Sequence, residues 1–150
     1  MIRAVLDTNV VVSGILSHKG SPGRILRAWF EDRFHLVTSI AILEELKRAL
    51  RYPKISRRHG WSQAQVLEFV EDVKSLAILV PGDMRLKVVA EDALDDRYLE
   101  CGMEGEASYL VGGDRHLLTL EQYEGVEDGM FSYVSQDKRV PVEHPARFAR

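Results

Sequence analysis

At 150 residues, with 45% hydrophobic and 29% charged content, the chain has the size and composition of one soluble globular domain with a real core. No apolar run approaches the ~20 residues that span a bilayer. Met1 leads into a strand-like run rather than a signal peptide, and the lone cysteine, Cys101, excludes an intrachain disulfide and fits a reducing cytoplasm. A net charge of −3 excludes a uniformly basic chain, and no cysteine–histidine cluster has zinc-site spacing.

In chain order, Ile2–Leu6 reads as the first strand. Gly20-Ser21-Pro22-Gly23 breaks the chain and starts a helix from about Pro22 to Asp32, with Ser21 as the expected N-cap. His35–Thr38 is a short strand. Ser39 caps a helix to about Arg51, which Tyr52-Pro53 should end. Ser62 caps the next helix, to about Ser75. Leu76–Val80 is a strand stopped by Pro81-Gly82. A helix should begin near Asp95 or Asp96. Tyr109–Val111 and Met130–Val134 complete the strands, and the tail from about residue 135 is poorly patterned. This alternation predicts an α/β fold with a mostly parallel sheet over a single domain, residues 1–150. The strands are short apolar runs, as expected when both faces of the sheet are covered.

Four acids stand where apolar runs meet loops or helices. Asp7 follows the first strand, and Asp114 follows Tyr109-Leu110-Val111 through Gly112-Gly113. Glu45 and one of Asp92, Asp95 and Asp96 sit on helical segments. In a parallel sheet the carboxyl ends of the strands share an edge, where ligands bind. Carboxylates gathered there repel one another, and a hard divalent cation with oxygen ligands is the usual reason to tolerate that. The pattern suits a metal-dependent phosphodiester hydrolase. On the Glu45 helix, Ile42, Leu43, Leu46, Ala49 and Leu50 form one face at 100° per residue. Glu44 falls almost opposite that face, and Glu45 falls at its edge, able to look into a cleft. Periodicity does not choose between Asp95 and Asp96, and either one could equally be a helix cap.

The remaining charge is uneven. Lys47 to Arg58 holds six basic residues and no acid, whereas Glu91 to Glu106 holds seven acids and one base, Arg97. The basic run is either a solvated helix face or a polyanion-binding rim beside an acidic floor. Arg48, Arg51 and Lys54 are its first candidates for phosphate contacts.

Val5-Leu6-Asp7-Thr8-Asn9-Val10, Ser39 to Leu50, Asp95-Asp96-Arg97-Tyr98-Leu99 and Tyr109-Leu110-Val111-Gly112-Gly113-Asp114 together resemble the four ordered motifs of the PIN domain family. These are small metal-dependent ribonucleases that include the toxins of many toxin–antitoxin pairs. The resemblance runs from Ile2 to about Val134, and alignment through Arg97-Tyr98-Leu99 makes Asp96 the third acid. It implies a three-layer α/β/α fold, frequent homodimers, RNA as substrate, and an antitoxin as a possible partner. It implies Asp7, Glu45, Asp96 and Asp114 as catalytic ligands of one or two Mg²⁺ or Mn²⁺ ions. Thr8, Asn9 and Ser39 are candidates to hydrogen-bond those carboxylates. Two positions depart from the pattern. His116 stands where many relatives carry another acid, and Glu100 stands where a small apolar residue is usual. Two other readings compete. One is a catalytically weak nucleic-acid- or antitoxin-binding module. The other is a phosphomonoesterase, disfavoured because Asn9 occupies the place of a second catalytic aspartate.

Overall fold

The structure is a computed structural model that describes residues 3–83, 96–107, 109–112 and 131–133. Its elements are β1 (Arg3–Leu6), α1 (Thr8–Leu16), α2 (Ser21–Phe30), β2 (His35–Thr38), α3 (Ile40–Arg51), α4 (Pro53–His59), α5 (Gln63–Leu76), β3 (Ile78–Leu79), α6 (Asp96–Glu104), β4 (Tyr109–Gly112) and β5 (Phe131–Tyr133). The sheet order is β3-β2-β1-β4-β5. β3, β2, β1 and β4 run parallel, and β5 is an antiparallel edge on β4. This is the α/β fold with a mostly parallel sheet that the alternation predicts.

Alternate residues of the central strands enter two separate cores, as a period of two requires. Ala4, Leu6, Leu36, Tyr109 and Val111 face the larger core, which α1, α2, α3 and α5 cover. Val5, Val37 and Leu110 point the other way, to Tyr98 and Cys101 of α6. Helices on both faces give three layers, and this is why the strands read as unbroken apolar runs.

Several boundaries differ from expectation, each for a physical reason. α1 was not foreseen. Its Val10-Val11-Val12 run is buried throughout, and only Asn9 and Ser13 are polar and exposed, too short a stripe to stand out from a strand-like apolar run. α4 restarts immediately after Tyr52, because proline is tolerated in the first turn of a helix as well as after the last. Ser21 is not the N-cap of α2: Gly20 holds that position and no side chain caps the helix. α2 stops at Phe30 because the chain turns through a left-handed Asp32, at φ 63°. Ser62 caps α5 in a reciprocal capping box with Gln65, and that helix runs on to Leu76, leaving β3 only Ile78–Leu79. β5 covers Phe131–Tyr133 of the expected last strand, while Asp95, Met130, Val134 and the tail from residue 135 lie outside the described residues. Among the described residues no helix is long and apolar enough to cross a membrane.

α6 lies very close to the sheet, and two glycines permit it. A Cβ on Gly102 would stand 2.6 Å from Leu110 Cδ2. A Cβ on Gly105, just past the helix, would overlap Val37 Cγ1 and stand 3.0 Å from Val80 Cγ1. The Leu110 methyl can swing aside, but the β-branched Val37, fully buried, has little rotameric freedom. Gly105→Ala is therefore expected to cost about 1–3 kcal/mol of stability by overpacking, and Gly102→Ala less. Urea midpoints for the two variants check this, and the reverse ranking would contradict it.

Candidate active site

Parallel register places the ends of β1 and β4 side by side. Leu6 pairs with Val111, and the Asp7 N–H continues the ladder to Val111 O at 2.9 Å. β2, next to β1, ends at Thr38, and Ser39 then starts α3. α1 and α3 both begin at this edge, so their positive N-terminal ends face it. The N-terminal end of α6 reaches the same edge, because Tyr98 meets Thr8 there.

Asp7 is buried and is the N-cap of α1, its carboxylate accepting the Asn9 N–H at 3.0 Å. Glu45 projects from α3 with its side chain 31% exposed, while Glu44 faces solvent and pairs with Lys47 at 3.2 Å. The helical phase thus places these two glutamates as the sequence predicts. Ser39 is buried and its hydroxyl caps α3 through the Ile42 N–H. Thr8 is buried, and Asn9 is exposed. Asp96 is the first residue of α6, but its side chain lies outside the described residues, as do Asp114 and His116. Arg48, Arg51 and Lys54 are exposed on α3 and α4.

Tyr98, which the sequence offers only as a member of the Asp95-Asp96-Arg97-Tyr98-Leu99 motif, joins these pieces. Its hydroxyl stands 2.8 Å from Thr8 Oγ1 and 3.1 Å from Glu45 Oε2, and accepts the Thr8 backbone N–H at 3.2 Å. A phenol has one proton, so it donates to only one of these oxygens at a time. Thr8 Oγ1 can therefore take over as acceptor whenever Glu45 turns away. Burial, then the charge of Asp7, pushes the Tyr98 hydroxyl well above its usual range, so it stays protonated and able to donate. Arg97 reaches the same Glu45 oxygen from the solvent side, at 3.5 Å. The sequence held one signal for these contacts, since Arg97 and Tyr98 directly follow Asp96.

Beside Glu45, a cleft of about 230 Å³ opens between α6 and the β2–α3 junction, lined among others by Ser39, Ala41, Arg97, Glu100 and Cys101. The Glu104 carboxylate closes one side of it by accepting the N–H groups of Gly82 and Asp83, at 2.9 and 3.1 Å. The Cys101 thiol is buried there, and burial, then the charge of Glu104, pushes it up to about 12. It stays a thiol at neutral pH and supplies neither a nucleophile nor a soft metal ligand.

The donors on hand are carboxylate oxygens. Glu45 and the residue that follows Asp7, Thr8, both bond one phenol, and carboxylate oxygens such as those of Asp7 and Glu45 suit a hard divalent cation. Among the described residues no group of three or more His, Cys, Asp or Glu comes together.

The carboxyl edge of this parallel sheet thus carries Asp7 just after β1 and Glu45 on α3. The chain belongs to the PIN domain family, whose pattern matches residues 3–116. That family consists in general of nucleases that use divalent metals. The chain is also similar to an uncharacterized protein of Methanocaldococcus jannaschii, MJ1680, at 28% identity over 119 residues, covering 79% of this chain and 75% of the relative. No solved structure matches the chain significantly.

Two outcomes are expected from this geometry. Tyr98→Phe strands the Thr8 N–H and removes the donor to Glu45, so it should cost about 1–3 kcal/mol in chelator. Unchanged denaturant midpoints would mean that the hydroxyl ties nothing together. Asp7→Asn, in contrast, should leave the metal-free fold as stable or more so. Asparagine caps a helix about as well as aspartate, and the change removes a charge from beside Glu45. A large fall in its midpoint would make the Asp7 charge itself structural.

Proposed function

We propose that the protein is an endoribonuclease that hydrolyses RNA phosphodiester bonds with a metal-activated water, and that it is the toxin of a toxin–antitoxin pair. The observation that carries this reading is that one buried phenol at the carboxyl edge of the sheet bonds both Glu45 and Thr8, the residue directly after Asp7. Asp7, Glu45, Asp96 and Asp114 are the proposed ligands of one or two Mg²⁺ or Mn²⁺ ions. When bound, such an ion lowers the pKa of its water and offsets charge on the phosphoryl and leaving oxygens.

The chain's own residues do the remaining work. Asp7 is held by the N-terminus of α1, and its backbone by the ladder to β4, so its carboxylate is fixed before any ligand arrives. Glu45 is held on one side by Tyr98 and on the other by Arg97. Thr8 keeps Tyr98 in place, which gives it a supporting role at one remove from the carboxylates. Ser39 supports Glu45 by starting α3, and Asn9 supports Asp7 through its backbone N–H. The nucleophile is water, so no covalent intermediate forms. Arg48, Arg51 and Lys54 are proposed to contact phosphates beside this centre. The proposal extends to a cytoplasmic homodimer that a separate antitoxin protein restrains.

Cleavage of a labelled single-stranded RNA tests the chemistry. Chelation should abolish it. Mg²⁺ or Mn²⁺ should restore it, and Ca²⁺ should do so poorly, because longer and looser bonds misplace the water. Glu45→Gln and Asp96→Asn should each lose at least about a hundredfold in turnover, on the order of 2.7 kcal/mol of transition-state stabilisation. Glu44→Gln should be nearly silent and Asp95→Asn modest. Full activity after exhaustive chelation would refute the mechanism, and a dead Asp95→Asn beside an active Asp96→Asn would move the third ligand by one residue.

A further inference from the structure

Ala41, Glu45, Arg48 and Tyr52 follow one another at spacings of four, three and four. On a helix of 100° per residue they fall within about 60° of arc and form one stripe along α3. The first of them lines the cleft together with Arg97, the ion-pair partner of Glu45, and Glu45 is itself bound to Tyr98. Arg48 is exposed one turn further on, and Tyr52 sits where α3 ends. Glu45 and Tyr52 are about 10 Å apart along the axis.

Tyr52 keeps to this stripe although it is the last residue to do so. Its φ of −63° is helical and its N–H still bonds Ala49 O at 3.2 Å, so its Cβ continues the screw of α3. Only its ψ of 131° leaves the helix, turning the backbone away into α4. The ring is left 58% exposed, and among the described residues its side chain makes no hydrogen bond and no ring contact. Around it the sequence from Lys47 to Arg58 carries no acid. Phe30, which is equally exposed, is followed instead by Glu31 and Asp32.

We infer that this stripe is the track of a single strand of nucleic acid, with one base stacked on the Tyr52 ring and a neighbouring phosphate on Arg48. The inference rests on the nuclease reading and adds to it the residue on which the strand stacks, Tyr52. An exposed aromatic face accepts any base that is free to stack on it, whereas a paired base offers none. A cationic arm beside it holds the backbone without reading sequence. The strand then runs from the basic end of α3 toward Glu45 and the cleft, which presents the bond following the stacked base to the acids.

The test is fluorescence anisotropy with the full chain in chelator, using a labelled short oligouridylate and a duplex of mixed sequence as probes. Tyr52→Ala should weaken single-strand binding roughly tenfold with the salt slope unchanged, and Tyr52→Phe should bind as the parent does. Arg48→Ala should reduce the slope of log affinity against log salt by about 0.7. Duplex binding should be indifferent to Tyr52. Equal affinity of Tyr52→Ala and parent for the single strand, or failure of the parent to bind it, overturns the inference. Because no metal is present, the two readings fail separately. A chain that binds through Tyr52 but never cleaves keeps the track and loses the nuclease. A chain that cleaves at parent rate and affinity without Tyr52 keeps the nuclease and loses the track.

Discussion

One buried hydroxyl, that of Tyr98, ties together three elements that the chain brings from far apart. It reaches Thr8 at the start of α1 and Glu45 in the middle of α3, from its own place on α6. These contacts span 90 and 53 residues of sequence. They exist only because α6 lies close to the sheet, at a spacing that Gly102 and Gly105 make possible. A helix held further out would leave the phenol short of both partners. It would also leave the Thr8 N–H buried without an acceptor, a cost of about 1–3 kcal/mol.

The same geometry concentrates negative charge. β1 delivers Asp7 to the carboxyl edge of the sheet, and α3 delivers Glu45 beside it. Mutual repulsion works against such a cluster. The N-terminal ends of α1 and α3 at this edge, and Arg97 on the solvent side, offset part of it. A fold can hold two acids this way without a cation. Adding Asp96 and Asp114, as proposed, makes a cation the natural counter-charge. The parallel part of the sheet is thus the source of the crowding, since it sends the carboxyl ends of β1, β2, β3 and β4 to one edge.

Much of this was legible from local pattern. The strands announced themselves as short apolar runs because both faces are covered, and the phase of α3 separated Glu45 from Glu44 by simple helical geometry. What escaped was whatever local pattern cannot encode. α1 is mostly apolar, with only Asn9 and Ser13 on its exposed side, so its period was too weak to distinguish it from a loop or strand. α4 hid behind a Tyr-Pro pair that reads equally as an ending and a beginning. Tyr98 was legible only as part of a motif, and the pattern around it does not encode that its buried hydroxyl meets Thr8 and Glu45. Arg97, likewise, was legible as a charge but not as the partner of Glu45. Its ion pair depends on the packing of α6, a tertiary fact.

The central claim is that these carboxylates hold a divalent cation together. Mn²⁺ binding measured by the loss of the free-ion electron paramagnetic resonance signal tests it without reference to any substrate. The parent chain should bind one or two ions saturably, and Asp7→Asn, Glu45→Gln, Asp96→Asn and Asp114→Asn should each weaken or abolish that binding, while Glu44→Gln leaves it intact. Equal Mn²⁺ binding by the parent and all four variants would contradict the claim and return these acids to capping and packing roles.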